Sequence, residues 1–397
     1  MEKTTTYLIP LVFSLLACDD LKIASKDILI KDAPLYIYYE PTSRVMPVED
    51  GLILQFQKSY TNGDEKKCEA IAKTENRIAK VDFDGNILWD KPYTDSSFMA
   101  YYQTYDKQYN YYGIEYGGNK LRKFDENLHR IATTQLDFSK YTNKYVSLTA
   151  IQYWKDDKIF AYGYVNSVTE GSSNQTYQSF FCLISMQNGI EKFVFIDTEN
   201  SVQRSSKYKI REDGIIYGYD YDSSLSQNTI TFNQFDSNFK HLMSKEIVKA
   251  PNISVFASTF QAEKIYLFMG EFDKNKTLLS IDNNFTIKEQ LLNTRIDYIN
   301  FIKNDITENL YFTFSDASST IYTINNTEIV KIGTFDSYIS TPFIRINKGN
   351  LHFISIGGGK DYKKNSHIFY KQTLNEPTIS KTLYQSQYSR NCNRWMD

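Results

Sequence analysis

The residues of this chain that could carry chemistry are scattered. Its four histidines, His129, His241, His352 and His367, stand far apart, and the chain has no His-x-x-x-His or Cys-x-x-Cys spacing. Zinc needs three or four such ligands converging on one point, so these read as surface or core histidines and no metal site is expected. Gly357-Gly358-Gly359-Lys360 invites a phosphate-loop reading. The leading glycine position is Ile354, however, and Asp361 stands where a Ser or Thr would meet magnesium, which leaves a flexible hairpin as the expectation. No Gly-x-Ser-x-Gly elbow supplies a serine nucleophile. Acidic residues number 47, and glycoside hydrolysis needs only two of them about 5 to 9.5 Å apart, but spacing along the chain singles out no pair. Asp220 with Asp222, and Asp273 with Asn275, offer oxygen ligands of the kind calcium takes, without the glycine-anchored loop of an EF-hand. No catalytic residue and no cofactor is assigned from the sequence.

Cysteine chemistry is more informative. Cys18 follows Leu15-Leu16-Ala17 at the end of a short apolar run from Tyr7 to Leu16, behind Lys3. A basic start, an apolar core shorter than the roughly twenty residues of a membrane span, and a small residue before the cut mark an export signal. Leu15-Leu16-Ala17-Cys18 resembles the lipobox of bacterial lipoproteins. The resemblance implies cleavage before Cys18 and acylation of its thiol, with each buried methylene of the anchor contributing about 0.8 kcal/mol. An ordinary signal peptide and a buried strand are the alternatives. Asp19 and Asp20 follow directly. Such acidic residues resemble an inner-membrane retention signal in proteobacterial lipoproteins and a surface-export signal in those of Bacteroidota. The richness in Tyr, Asn and Lys looks more like Bacteroidota, which makes the outer membrane the expected location, its periplasmic or surface face left open.

Three cysteines remain, Cys68, Cys182 and Cys392, an odd number for an oxidising compartment. Cys182 lies in the apolar run Phe180-Phe181-Cys182-Leu183-Ile184, where a reduced, buried thiol is expected. Cys68 and Cys392 sit near opposite ends of the domain. In a fold that closes into a ring they could be neighbours, and a disulfide between them would fasten the ends.

The ring follows from an internal repeat. An apolar strand, an Asp or Asn, a polar or glycine turn and a second strand recur at Phe83-Asp84-Gly85-Asn86, Phe124-Asp125-Glu126-Asn127, Met186-Gln187-Asn188-Gly189, Phe235-Asp236-Ser237-Asn238, Ile281-Asp282-Asn283-Asn284 and Ile324-Asn325-Asn326-Thr327. The second residues, at 84, 125, 187, 236, 282 and 325, recur at close to the 40 to 50 residues of a propeller blade, with one longer interval. Asp and Asn bond their own backbone and tolerate positive φ, so they turn one antiparallel strand into the next. A second set of turns, Asp106-Lys107-Gln108, Asp156-Asp157-Lys158, Glu212-Asp213-Gly214 and their counterparts, precedes each copy. Two turns per repeat give about four strands, and such sheets must stack to bury both faces. Helical periodicity is poor while β-branched and aromatic residues abound.

The expected fold is all-β, a β-propeller of seven four-stranded blades, with six or eight as alternatives. The domains are 1–17, a lipoprotein signal peptide; 18–33, a lipidated tether; and 34–397, a single propeller. Ile28-Leu29-Ile30 and Tyr36-Ile37-Tyr38-Tyr39 are expected to complete the last blade. In layout the chain resembles divergent propeller lipoproteins of Bacteroidota. The repeated Gly-His and Trp-Asp pairs of WD40 proteins, the paired glycines of kelch repeats and the sialidase box are missing as sets.

Basic residues number 45 against 47 acidic ones, with a net charge of −2, so no cationic stripe exists for a nucleic acid. The tyrosines Tyr101, Tyr102, Tyr105, Tyr109, Tyr111, Tyr112 and Tyr116 crowd the second repeat. They suit either packing between blades or an exposed surface for sugars or protein partners. Two functions compete. One is a non-catalytic binding or scaffold lipoprotein, an accessory subunit of an outer-membrane transport or secretion assembly, whose partners are the membrane and an envelope protein or glycan. The other is a glycan-active or glycan-binding propeller with acidic residues in its central funnel. Close funnel carboxylates with perturbed pKa values would favour the enzyme, and an outer apolar or aromatic patch the partner.

Overall fold

The computed structural model describes residues 35–39, 44–62, 71–93, 102–114, 119–168, 175–197, 205–223, 228–261, 263–292, 299–304, 310–314, 320–325, 328–334, 343–347, 350–358, 365–372 and 379–385. Among the described residues the regular elements are strands, apart from a 3-10 turn at Phe138–Lys140. No helix among the described residues is long and apolar enough to cross a membrane. Residues 1–34, including Cys18, lie outside the described residues, as do Cys68 and Cys392, so neither the lipid anchor nor the disulfide has a structural reading.

The chain is a β-propeller. From the second unit onward its strands form antiparallel meanders of four, each strand pairing with the next in sequence. The second unit runs from Tyr102–Tyr105 to Arg130–Gln135, the third from Tyr145–Tyr153 to Gly189–Phe195, and the fourth from Ser205–Ile210 to His241–Ala250. The fifth runs from Ser254–Gln261 to Ile287–Leu292, the sixth from Asn300–Asn304 to Glu328–Thr334, and the seventh from Phe343–Asn347 to Ile379–Gln385. Hydrogen bonding gathers the strands into six sheets, because the sixth and seventh units are joined into one of eight strands. The join is a short parallel pairing, Lys303 with Phe343 and Asn304 with Ile344. The expected seven thus counts meanders and the alternative six counts sheets.

The first unit corrects one expectation. Leu35–Tyr39 does not complete the last blade; it pairs with Lys58 to Asn62 on the long strand Gly51–Asn62. Arg44–Val48 pairs with the near half of that same edge, Gly51 to Gln55. The long strand would otherwise leave half an edge of donors and acceptors unpaired.

First strands touch between the second and third, the fifth and sixth, and the sixth and seventh units, and Arg44–Val48 touches Phe343–Asn347, which closes the ring. Between units lie apolar cores. Phe160, Phe181, Ile210, Phe235 and Phe239 fill the third-to-fourth junction, and Tyr217, Phe232, Ile265 and Leu279 the fourth-to-fifth. The closing junction sets Ile354 of the seventh unit among Val45, Leu52, Leu54 and Phe56 of the first. Cys182 is a free, fully buried thiol in the second-to-third core, as its apolar run implied.

The repeated Asp turns are built alike. Asp125 Oδ1 accepts from the backbone N–H of Asn127 and His129, at 2.9 and 2.8 Å. Asp236 and Asp282 do the same two and four residues on. In the first unit this role falls to Asp82, whose carboxylate holds the N–H groups of Asp84 and Asn86, so the sequence mark at Asp84 is two residues late. The fourth residue of each turn takes a left-handed φ: Gly85, Leu128, Phe239 and Phe285. That geometry is unfavourable by roughly 1–2 kcal/mol for a side-chain-bearing residue, yet it swings Leu128, Phe239 and Phe285 into the core shared with the preceding unit. Phe239 meets Phe181 at 5.7 Å and Phe285 meets Phe232 at 4.3 Å. In the first unit glycine leaves no plug, and Phe83 of the same turn instead reaches His352 of the seventh unit, 4.9 Å between rings.

Candidate functional site

The turns after the first strands of successive units define an axial cavity of about 520 Å³. That volume lies in the range of small-ligand pockets. The second unit contributes Tyr105, Lys107 and Tyr109, the third Gln152, Tyr153 and Trp154, the fourth Lys209 to Glu212 with Tyr217, and the fifth Glu263. The turns share one closure, the N–H before each turn donating to the carbonyl after it: Asp106 to Asn110, Trp154 to Lys158 and Arg211 to Ile215. Tyr109 takes a left-handed φ of 59°, which lays its ring over Tyr105 with centroids 6.1 Å apart.

The frame is rigid because its polar groups bind one another across units. Gln152 donates to Ile210 O and accepts from Ile210 N, both at 3.0 Å, stitching the third unit to the fourth. Trp154 Nε1 donates to Glu212 O at 3.2 Å. The Tyr112 hydroxyl donates to Asp157, whose Oδ1 also takes Lys123 Nζ at 2.7 Å. Burial works to raise the Asp157 carboxyl, but these hydrogen bonds outweigh it and hold it below the usual carboxylate range. Burial, aided by Asp157, pushes the Tyr112 phenol well up.

The acids of the cavity are already engaged. Asp106 accepts from the N–H groups of Gln108 and Asn110 and from Asn110 Nδ2. Glu212 pairs with Lys107 across the mouth, both side chains 77% exposed, and that hydrogen bond draws its carboxyl down. Glu263 accepts from Asn283 Nδ2 at 2.8 Å. Among the described residues the carboxyls that shift, Asp137, Asp157, Glu191, Glu212 and Asp282, all shift down. A glycosidase's general acid requires the opposite.

A smaller cavity, about 220 Å³, opens between the third and fourth units at the start of Ser205–Ile210, whereas the axial cavity lies at that strand's end. Tyr162, Tyr164, Tyr177 and Phe181 wall it, with Ser206 and Tyr208 at one side. Asp220 receives Ser206 Oγ, the Tyr208 hydroxyl at 2.8 Å and Asn233 Nδ2 at 2.8 Å. The carboxylate proposed from sequence as a calcium ligand therefore ties strands together. At the other candidate, Asp273 and Asn275, the turn is filled from within: Lys276 Nζ, fully buried, donates to Glu271 O at 2.7 Å and to Lys274 O. An ammonium holds the carbonyls a calcium ion would use.

The tyrosine cluster divides. Tyr111 and Tyr112 are buried between units, Tyr105 and Tyr109 line the cavity, and Tyr101 and Tyr116 lie outside the described residues. Of the histidines, His129 stands on the Asp125 turn, His241 against Phe235 and His352 against Phe83, while His367 falls in the strand Asn365–Gln372. Gly357 and Gly358 pair with Ser366 and Asn365 in a hairpin. Tyr153, Trp154, Lys209 and Tyr217 carried no sequence mark, since only strand register brings them to one cavity.

No protein-family model and no curated protein matches the chain. Among solved structures it is similar to the uncomplexed acylaminoacyl peptidase of Pyrococcus horikoshii, at 12% identity and TM-score 0.50, covering 86% of this chain and 52% of that one. It is also similar to the puromycin hydrolase S511A mutant complexed with PGG, at 7% identity and TM-score 0.54, covering 87% of this chain and 54% of that one. The β-propeller domain of the Trilobed protease from Pyrococcus furiosus matches at 10% identity and TM-score 0.46, covering 91% and 98%. This chain spans about half the length of the first two enzymes. The likeness to solved structures is one of fold.

Proposed function

We propose that the chain is a lipid-anchored lipoprotein of the cell envelope, held through Cys18 at the outer membrane, whose propeller is a non-catalytic binding module serving an envelope assembly. The observation that carries the binding reading is the axial cavity: aromatic walls, a stitched frame, and acids already committed to hydrogen bonds, with the Glu212 carboxyl drawn down by Lys107. Such a site can hold a ligand without the raised carboxyl that acid catalysis requires. The structural neighbours named as a peptidase and a hydrolase are about twice as long, and fold alone does not carry an activity across.

A glycan-binding version of the same reading is favoured by Tyr105, Tyr109, Tyr153 and Trp154, flat side chains suited to the faces of sugar rings. The test uses the full chain in its native membrane. Palmitate label should enter the wild type and be lost from Cys18→Ala, and a detergent extract should yield a co-purifying partner or glycan that is depleted by Tyr153→Ala/Trp154→Ala. Label persisting in Cys18→Ala would remove the anchor. Turnover of chromogenic glycosides by the wild type would replace binding with catalysis.

A further inference from the structure

Strand direction tells the two ends of the ring apart. The axial cavity marks one end, where turns after the first strands bring Lys107, Trp154, Glu212 and Glu263 together from the second to the fifth units. The first unit shares that end, because Tyr111, which opens the second strand of the second unit, donates its hydroxyl to Pro47 O near the close of Arg44–Val48. In the first and fifth units alike the second strand, Gly51–Asn62 or Lys264–Gly270, therefore begins at the cavity end and finishes at the far end.

Two features meet at the far end. Leu35 pairs with Asn62, so the chain that carries Cys18 joins the propeller there. The three most exposed large apolar side chains among the described residues lie there too: Leu291 at 67%, Phe272 at 64% and Tyr145 at 57%. Phe272 stands in the turn between Lys264–Gly270 and Lys276–Asp282, Leu291 pairs with Thr277 beside that turn, and Tyr145 opens the first strand of the third unit. Phe272 meets Phe256 edge-on at 5.2 Å and otherwise faces solvent. The turn that presents it is set from within: Lys276 Nζ holds the carbonyls of Glu271 and Lys274, and Lys274 pairs with Glu271 at 2.6 Å. A tip ordered in advance loses little freedom on binding. Glu271 and Asp273 balance Lys274 and Lys276, so the tip offers apolar contact rather than attraction to anionic headgroups.

We propose that the far end of the propeller lies on the bilayer, with Phe272 and Leu291 entering the headgroup region and Tyr145 at its surface, and that the axial cavity opens away from the membrane. Apolar and aromatic side chains on a polar frame suit that boundary. The inference rests on the anchoring of Cys18 proposed above and adds the direction in which the cavity faces. An anchor joined at Leu35 holds this end at high local concentration against the bilayer, which lets a small apolar contact decide the orientation. Leu88 and Ile131, 50% and 56% exposed, stand near the start of outer strands at the cavity end, and docking through them is the opposite arrangement.

Tryptophan placed as a depth reporter separates the two. The full acylated chain is reconstituted into vesicles of phosphatidylethanolamine and phosphatidylglycerol, with or without brominated acyl chains. The emission added by Phe272→Trp and by Leu291→Trp should be quenched at least about twofold by bromine, at low and at high salt, while that added by Ile131→Trp should be unaffected. Leu291→Asp in the Phe272→Trp chain should lower the quenching. Ile131→Trp quenched as strongly as Phe272→Trp, neither reporter quenched in vesicles that carry the protein on flotation, or quenching that vanishes at high salt overturns the docked face and leaves the anchor standing. A chain that fails to float with the vesicles removes the anchor itself, and the docked face with it.

Discussion

Tyr208 and Tyr217 sit on adjacent strands of the fourth unit, on opposite faces, and their hydroxyls have opposite fates. The Tyr208 hydroxyl donates to Asp220 and accepts from Asn233 Nδ2, while that of Tyr217 is buried without a partner among the described residues. Removing a satisfied group exposes its partners to the desolvation penalty, whereas removing an unsatisfied one relieves it. Tyr208→Phe should therefore cost about 1–3 kcal/mol, and Tyr217→Phe should leave stability unchanged or raise it by up to about 1 kcal/mol. Urea denaturation of the two variants makes the comparison, and equal losses would contradict it.

The left-handed plugs yield a second contrast. Phe239 contacts Phe160 and Phe181 of the preceding unit from a φ of 65°. Phe239→Ala should cost about 3–5 kcal/mol, because it opens a cavity between two units. Phe239→Gly loses the same ring but adopts the turn without strain, so it should be the milder change by about 1 kcal/mol. The order of the two unfolding midpoints is the readout.

Acid should loosen the junction of the second and third units. The Asp157 carboxyl is held below its usual range by Lys123 and Tyr112 against the opposing effect of burial. A depressed carboxyl contributes stability that is fully present above the unfolded value, near pH 4, and is lost as pH falls through the folded one. Asp157→Asn should thus be destabilising at pH 7, by about 1 kcal/mol or less given its exposure, and progressively less so as pH falls below about 4. A constant penalty across that window would refute the assignment.

Cys182 gives a chemical test of the core. Its thiol is fully enclosed, and burial alone pushes it up, away from the thiolate that reacts. Alkylation followed by peptide mapping should leave Cys182 unmodified in the native protein and label it in guanidinium.

The repeat was legible because the turn chemistry is local: Asp125, Asp236 and Asp282 act on N–H groups two and four residues away, within reach of a sequence pattern. Asp82 was misread as Asp84 because both positions of that turn are acidic and only the hydrogen bonds separate them. Leu128, Phe239 and Phe285 stood in plain view after each Asn, yet an apolar residue in a turn acquires meaning only when its φ is known. Lys209 and Tyr217 were hidden for another reason: they meet through cross-strand register, and the cavity they share needs four consecutive units.

The outer-turn plugs all point one way. Leu128, Phe239 and Phe285 each fill a gap belonging to the unit before their own, so the first, third and fourth units are not finished by their own residues. During synthesis the cores of these three units therefore wait for the next unit to emerge. The first unit waits longest on its open flank, where Phe83 can meet His352 only after nearly the whole ring has left the ribosome. Vectorial completion of this kind makes a truncated chain incomplete at both ends of its arc, and it sets the final docking of the seventh unit as the step at which the whole domain becomes cooperative.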